Sequence, residues 1–253
     1  MQSHLAWATF LLPCAICWAD ESASEIARKS RERGALNLLD LTSVMKLTTV
    51  DKEGHPKEQV LTSSAKKIDG RARSIARFLR PPSVAGVAVL TVEGKGDEVA
   101  EISLYLPKLK RVRRIARTQR GQSFMDTDFN YADLGASGAE DRDVKRLADD
   151  QVDGRDAFVL TRSPGSDSPY GQVTAFVDKE TYVPLKVEYR DREGKPFKRY
   201  RSIKLRKFKD RTLAAESVME NLQSGSKTTL ELTQVEESHL GDDAFTERAL
   251  ERG

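Results

Sequence analysis

From residue 41 to residue 236 most of the chain follows one rhythm: segments of about ten residues with period-two alternation, separated by polar turns. Segment 41–50 (LTSVMKLTTV) ends in DKEG at 51–54, and 57–68 (KEQVLTSSAKKI) ends in Asp69-Gly70, which leads into 71–80 (RARSIARFLR). Two such runs joined by Asp-Gly make a hairpin, because the favoured two-residue turn needs positive φ at both central positions. Segments 84–92 and 98–106 flank EGKG at 93–96, and the rhythm resumes at 155–163, 171–178, 182–190, 196–207, 212–222 and 226–236. Pro81, Pro82 and Pro107 fall at segment ends, where a missing N–H costs least. This pattern predicts a mainly β fold, one meandering antiparallel sheet with flanking helices. About eleven strands exceed what a flat sheet carries, so the sheet is expected to curl.

Three stretches depart from the rhythm. Residues 22–39 read as an amphipathic helix, capped by Ser22 or Ser24, with Ile26, Leu36 and Leu39 near helical spacing and Gly34 as a weak point. Residues 121–150 are acidic and short of strand formers, and predict an irregular or partly helical insertion. The tail after 237 is expected to end in a short helix (DAFTERALE).

Residues 5–18 (LAWATFLLPCAICW), followed by Ala19 and Asp20, fit the apolar region of a secretory signal. The expected organisation is a signal peptide at 1–19 and a single domain at 20–253. Cys14 follows Pro13 and Cys17 follows Ile16, so neither fits a lipidation site, and removal of this segment leaves no cysteine. Thiol catalysis, disulfides and thiolate metal sites are then excluded. The 42 basic and 39 acidic residues leave a net charge of +3, which excludes a polycation, and 38% hydrophobic residues suffice for a core.

No nucleophile elbow, phosphate loop or dinucleotide fingerprint occurs, so no enzyme, cofactor or metal site is expected. His55 falls in a predicted turn and His239 in the polar tail. Asp126, Asp128 and Asp133 hint at calcium, but the glycine and terminal glutamate of the helix–loop–helix pattern are missing, and these acids read as a solvated loop. Lys108, Lys110, Arg111, Arg113, Arg114, Arg117 and Arg120 put seven positive charges in thirteen residues. A second basic stretch spans 195–211. In an exported chain such stripes meet anionic headgroups or an acidic partner, or form the solvated face of a strand; nucleic acid is not the expected partner. The alternating residues Met45/Leu47, Phe78, Val87/Val89, Ile102/Leu104/Leu106 and Val173/Ala175/Val177 would line the concave face of a curled sheet.

Three stretches, RFLRPPSVAGVAVL (77–90), LYLPKLKRVRRIARTQRGQSFMDTDFNYADL (104–134) and SPYGQVTAFVDKETYVPLKVEYRDREGKPFKRY (168–200), resemble the outer-membrane lipoprotein-sorting, LolA-like family. The resemblance spans about residues 22 to 236. Two departures stand out: Ser103 where the family often has Trp, and Asp126 where it often has Gly. The resemblance implies an incomplete barrel of about eleven antiparallel strands with a helical lid, LolA/LolB-like. It implies a periplasmic carrier, monomeric and soluble after signal cleavage, that holds lipid or lipoprotein acyl chains and shuttles them toward the outer membrane. It also implies an inner-membrane exporter of the resistance-nodulation-division type as a partner. The candidate ligand-binding residues are Leu47, Phe78, Val89, Leu104, Phe124, Met125, Phe129 and Tyr131. The last four form either a lid contacting acyl chains or an anchor for their loop. Lys108, Lys110, Arg111, Arg113 and Arg114 are the candidates for docking to a membrane or partner. The alternative function is a non-catalytic module that docks an exporter through this basic surface.

Overall fold

The computed structural model describes residues 21–34, 38–95, 98–134, 143–166 and 168–252. The expected signal peptide, with Cys14 and Cys17, lies outside these residues. The strands are β1 (Leu41–Val50), β2 (Pro56–Ile68), β3 (Arg71–Arg80), β4 (Ala88–Val92), β5 (Glu101–Leu106), β6 (Arg111–Arg114), β7 (Lys145–Arg146), β8 (Asp150–Val152), β9 (Arg155–Arg162), β10 (Gln172–Asp178), β11 (Pro184–Arg190), β12 (Pro196–Phe208), β13 (Arg211–Asn221) and β14 (Lys227–Glu237). Helices are α1 (Ala23–Arg31), α2 (Tyr131–Leu134) and α3 (Glu247–Leu250).

All fourteen strands join one antiparallel sheet in the order β6-β5-β4-β3-β2-β1-β14-β13-β12-β11-β10-β9-β7, with β8 also paired to β9. The first and last long strands meet in the middle, Leu41 opposite Glu237 and Val50 opposite Lys227. Strands β6 and β7 stand at the two ends of this order, so the sheet is open, and one cavity bordered by both Val99, next to β5, and Arg162 of β9 shows that its ends curl toward each other. Asp69 and Gly70 have φ of 50° and 76°, as their hairpin turn requires.

The strand count is fourteen rather than about eleven. The additional strands are β6, β7 and β8, each four residues or shorter, too short for alternation to register. Their sequences are charged, and pairing to a long neighbour is what makes them strands. One local signal was present: Asp153-Gly154, with φ of 51° and 79°, turns β8 back onto β9 as Asp69-Gly70 turns β2 onto β3. The first helix is also shorter than its pattern. It starts as expected, with the Ser22 hydroxyl accepting from the Glu25 N–H at 3.2 Å, but is capped at Glu32, just before Gly34. Leu36 lies outside the described residues, and Leu39 bridges to Ala65 on β2 instead of continuing a helix.

Alternation assigns each strand two faces. Inward residues meet across the ladders: Phe78 opposite Leu61, Leu61 opposite Met45, Met45 opposite Leu232, Leu47 opposite Leu230, and Val89 opposite Leu104. The second half of the sheet adds Met219 opposite Tyr200, Tyr200 opposite Val187, and Ala175 opposite both Val187 and Leu160. Helix α1 covers part of this concave face, packing Ile26 on Phe158, Leu160 and Val177.

The convex face of β3–β6 is covered by the end of the chain. Phe245 and Leu250, both fully buried, pack on Ile68, Ala88 and Leu90. Glu247 accepts hydrogen bonds from the Ser103 hydroxyl at 2.7 Å and Arg114 Nε at 3.1 Å, and Arg77 donates to the Leu250 carbonyl at 3.0 Å. Ser103, one of the two departures from the family pattern, thus ties the sheet to α3. Removing a buried phenylalanine ring costs about 3–5 kcal/mol. Phe245→Ala is therefore expected to lower unfolding free energy by about that amount, measured by urea denaturation. A loss below about 1 kcal/mol would mean that the tail does not help hold the sheet.

Candidate ligand-binding site

Residues 120–134 pack on the concave face over β1–β5 and β12–β14. This plug is built as a small hairpin of its own. Ser123 bridges to Asn130, the Phe124 N–H donates to the Phe129 carbonyl at 2.7 Å, and the Thr127 N–H returns to the Phe124 carbonyl at 3.1 Å. Met125 and Asp126 at its tip have φ of 52° and 59°. Two consecutive positive φ values are the conformation in which glycine is unstrained, which accounts for the glycine that the family pattern favours at position 126. Here the aspartate instead reaches Lys57 at 2.7 Å.

The plug inserts aromatic rings into the sheet's core. Phe124 lies 5.5 Å from Phe78 and 5.8 Å from Tyr131, in tilted and edge-on geometry. Leu47, Phe78, Val89, Leu104, Phe124, Phe129 and Tyr131 all belong to one buried cluster, with Met125 half-buried against it. Seven of the eight expected ligand-binding residues are thus packed against one another, and the eighth rests on them.

Polar groups pin the plug at the end of this face. The inward positions next to Leu61, Leu230 and Tyr200 carry Gln59, Thr228 and Lys198, all buried. Gln59 Nε2 donates to the Met125 carbonyl at 3.1 Å. Thr228 accepts from the Asp128 N–H at 2.9 Å and donates to the Asp128 carboxylate at 2.7 Å, which Ser226 also meets at 2.5 Å. Lys198, only 2% exposed, donates to the Asp128 carbonyl and to Asn130 Oδ1, both at 2.6 Å, and lies 4.0 Å from the Asp133 carboxylate. Asp133 in turn accepts from the Tyr170 hydroxyl at 2.8 Å and the Asn130 N–H at 2.7 Å. Burial lowers the pKa of the Lys198 ammonium against the pull of Asp133 and Asp128, and raises that of Asp133 against the pull of Lys198. Burial also lifts the Tyr170 phenol well above its ordinary value.

Asp128 and Asp133 are therefore buried anchors rather than solvated loop acids. Asp126 is exposed and turned to Lys57, so the three carboxylates each have a separate partner. Lys198, expected on a solvated basic face, is instead buried beneath the plug, to which it donates two hydrogen bonds. The signal was a polar residue at an inward position: Gln59 two before Leu61, Thr228 two before Leu230, Lys198 two before Tyr200. Of the rest of that basic stretch, Arg199, Arg201, Lys204, Lys209 and Arg211 pair with Glu220, Asp153, Glu216, Glu237 and Asp40. By contrast, Lys108, Lys110, Arg111, Arg113 and Arg114 are exposed on and beside the edge strand β6. Arg114 is held by Glu101 and Glu247. Positive charge along an edge strand opposes pairing with another chain.

Open space on the concave face lies between α1 and α2. One cavity, of about 180 Å³, is lined by Ala27, Leu160, Val173, Ala175, Val187 and Tyr189, with Arg31 and Arg162 among its polar residues. A second, of about 240 Å³, shares Ala132, Arg162 and Ser168 with the first and adds Val99, Arg117 and Arg120. None of the eight expected ligand-binding residues lines either cavity, whereas Val173 and Ala175 of the expected concave lining do. Among the described residues, Asp51, Glu53 and His55 bring potential metal ligands together, fully exposed in the β1–β2 turn, where Asp51 and His55 already bond at 3.0 Å.

Removing one partner of a buried charged pair costs about 3–5 kcal/mol, because the other charge is left uncompensated. Lys198→Met is expected to destabilise the protein by about that much. Adding Asp133→Asn should recover part of the loss, giving a non-additive cycle in urea denaturation. Additive losses would mean that the two groups do not act as a pair.

Comparison with known proteins agrees with this architecture. A family model described as "-like: Uncharacterized protein" matches residues 70–252. No curated protein matches the sequence. Among solved structures, the chain is similar to a putative outer membrane lipoprotein-sorting protein domain from Vibrio parahaemolyticus, with 27% identity, a TM-score of 0.82, and coverage of 91% of this chain and 98% of that one. It is similar to a DUF1329 family protein from Desulfovibrio piger, with 23% identity, a TM-score of 0.79, and coverage of 90% and 95%. The LolA superfamily protein NE2245 from Nitrosomonas europaea shares the fold at 19% identity, a TM-score of 0.69, and coverage of 90% and 99%. Taken with the open fourteen-stranded sheet and its plugged concave face, these likenesses place the chain in the family matched over residues 70–252, among the outer-membrane lipoprotein-sorting, LolA-like proteins.

Proposed function

We propose that the protein is a periplasmic carrier of acyl chains, moving lipid or lipoprotein toward the outer membrane by transfer without covalent chemistry. The observation that carries this reading is the cover on the concave face. An apolar sheet face spanning both halves of the molecule is closed by a single hairpin and a short helix rather than by a second sheet. Phe124, Phe129 and Tyr131 occupy the place that acyl chains would take. In the closed form they satisfy the same surface, so binding exchanges one apolar contact for another. Each methylene moved from water to the sheet contributes about 0.8 kcal/mol. That gain has to offset both the exposure of the displaced rings and the breaking of the Gln59, Thr228 and Lys198 bonds to the plug. No helix among the described residues is long and apolar enough to cross a membrane, and a carrier of this kind works as an exported chain freed of its signal segment.

The test is to purify the protein from a periplasmic preparation, extract it with organic solvent and analyse the extract by mass spectrometry. A near-stoichiometric lipid is expected. An empty extract, together with no uptake of a fluorescent fatty-acid probe, would sink the carrier reading.

A second reading is favoured by the exposed basic run. Lys108, Lys110, Arg111 and Arg113 surround Leu109, which is 63% exposed. In this reading the surface docks an inner-membrane exporter of the resistance-nodulation-division type. Charge reversal at Lys110, Arg111 and Arg113 would then abolish cross-linking to the exporter in cells while leaving the extracted lipid unchanged. Unaltered cross-linking would remove this role from the basic run.

A further inference from the structure

We infer that the gap between α1 and α2 takes a single-chain amphiphile with an anionic head, the chain lying on Leu160, Val173, Ala175 and Val187 and the head meeting Arg162. This rests on the carrier reading and narrows its cargo.

Three observations lead there. First, the two cavities have unlike linings. The one under α1 has an apolar floor from the inward residues of β9, β10 and β11, while its neighbour is bordered by Arg117 and Arg120 with Ser163, Gly165 and Ser168. Arg162 lines both, so it stands where a chain would end and a head begin.

Second, arginines outnumber carboxylates among the described residues that line the two cavities. Arg31, Arg117, Arg120 and Arg162 border the two cavities, against the carboxylates of Asp133 and Asp143. Asp133 is already committed to Tyr170 and Lys198. The four arginines also make contacts within the protein, so an anion would join an existing network. A guanidinium is a planar fork that matches carboxylate and phosphate oxygens, and it keeps its charge at any working pH.

Third, the space is narrow. Ligand pockets ordinarily run from about 300 to 1,000 Å³, and neither cavity reaches that range alone. At about 180 Å³ and about 240 Å³, these spaces favour a single chain over two side by side. The head is a carboxylate, as in a fatty acid, or a phosphate, as in a lysophospholipid.

The test is calorimetric titration of the delipidated full-length protein with palmitic acid, palmitoyl lysophosphatidylglycerol, hexadecanol and dipalmitoyl phosphatidylglycerol. At least one anionic single-chain probe is expected to bind tenfold or more tighter than hexadecanol and than the two-chain lipid. Tight binding of palmitic acid alone assigns a carboxylate head, and of the lysolipid alone a phosphate head. Arg162→Gln should bring the anionic probe to within about twofold of hexadecanol with the hexadecanol affinity unchanged. Ala175→Phe, which fills the chain end, should weaken every single-chain probe. Equal affinity for acid and alcohol in the unmodified protein would overturn the anionic head while leaving a carrier. A preference that survives Arg162→Gln would overturn the assignment to that residue. No single-chain binding, in a protein that still yields a lipid on extraction, would overturn the site and spare the carrier reading. No binding with an empty extract would overturn both.

Discussion

An ammonium group buried at one end of an apolar sheet face sets the terms for everything above it. Lys198 cannot be left there without acceptors, and its own strand supplies none on that side, because the ladder uses the backbone groups of β12. The acceptors come from a distant segment: the carbonyl of Asp128, the side chain of Asn130 and, further off, Asp133. With those in place, Phe124, Phe129 and Tyr131 are buried in the cluster that holds Phe78, Leu47 and Leu230. Position and depth of the plug therefore follow from polar satisfaction, and its adhesion follows from burial of apolar surface. The two contributions differ in kind. The apolar one is non-directional and can be matched by any hydrocarbon, whereas the polar one is directional and specific to the closed form.

That division suits a carrier. A cover held by apolar contact alone would be displaced by detergent, lipid or a neighbouring protein without discrimination. A cover held by polar contact alone would leave the sheet's inner face exposed whenever the bonds broke. Under the carrier proposal the covering rings stand in for acyl chains, and the hydrogen bonds at the rim are what a cargo has to displace. The cavity between α1 and α2 lies beside the plug rather than beneath it.

Much of the sheet was legible because period-two alternation is long-range information repeated locally. Each of the long strands carries its own copy, and Asp-Gly or a Gly-ended turn marks most boundaries. Strands β6, β7 and β8 escaped because they are shorter than two periods and charged, and exist through pairing with β5 and β9. The plug was legible as unusual sequence but not as structure. SFMDTDFNY carries no period, and its shape depends on Gln59, Thr228 and Lys198, which are far off in the chain. Sequence reasoning placed Asp128, Asp133 and Lys198 in solvent because charged residues usually are there. The contrary sign was positional, a polar residue where the strand's alternation points inward, and it is visible only once the inward face has been decided.

The pairing of β1 with β14 has a consequence for how the protein is made. Every other long strand finds a partner among its near neighbours in sequence, so most of the sheet can assemble as the chain emerges from a ribosome or a translocation channel. The central seam cannot. Residues 51–226 separate the two strands that form it, and until β14 arrives the edge of β1 and the inner residues Met45 and Leu47 have no lid and no neighbour on that side. The topology thus favours assembly from the flanks inward, with the last strand shutting the middle. During that interval a partly made chain displays an unpaired edge next to hydrocarbon, the kind of surface that holding chaperones retain.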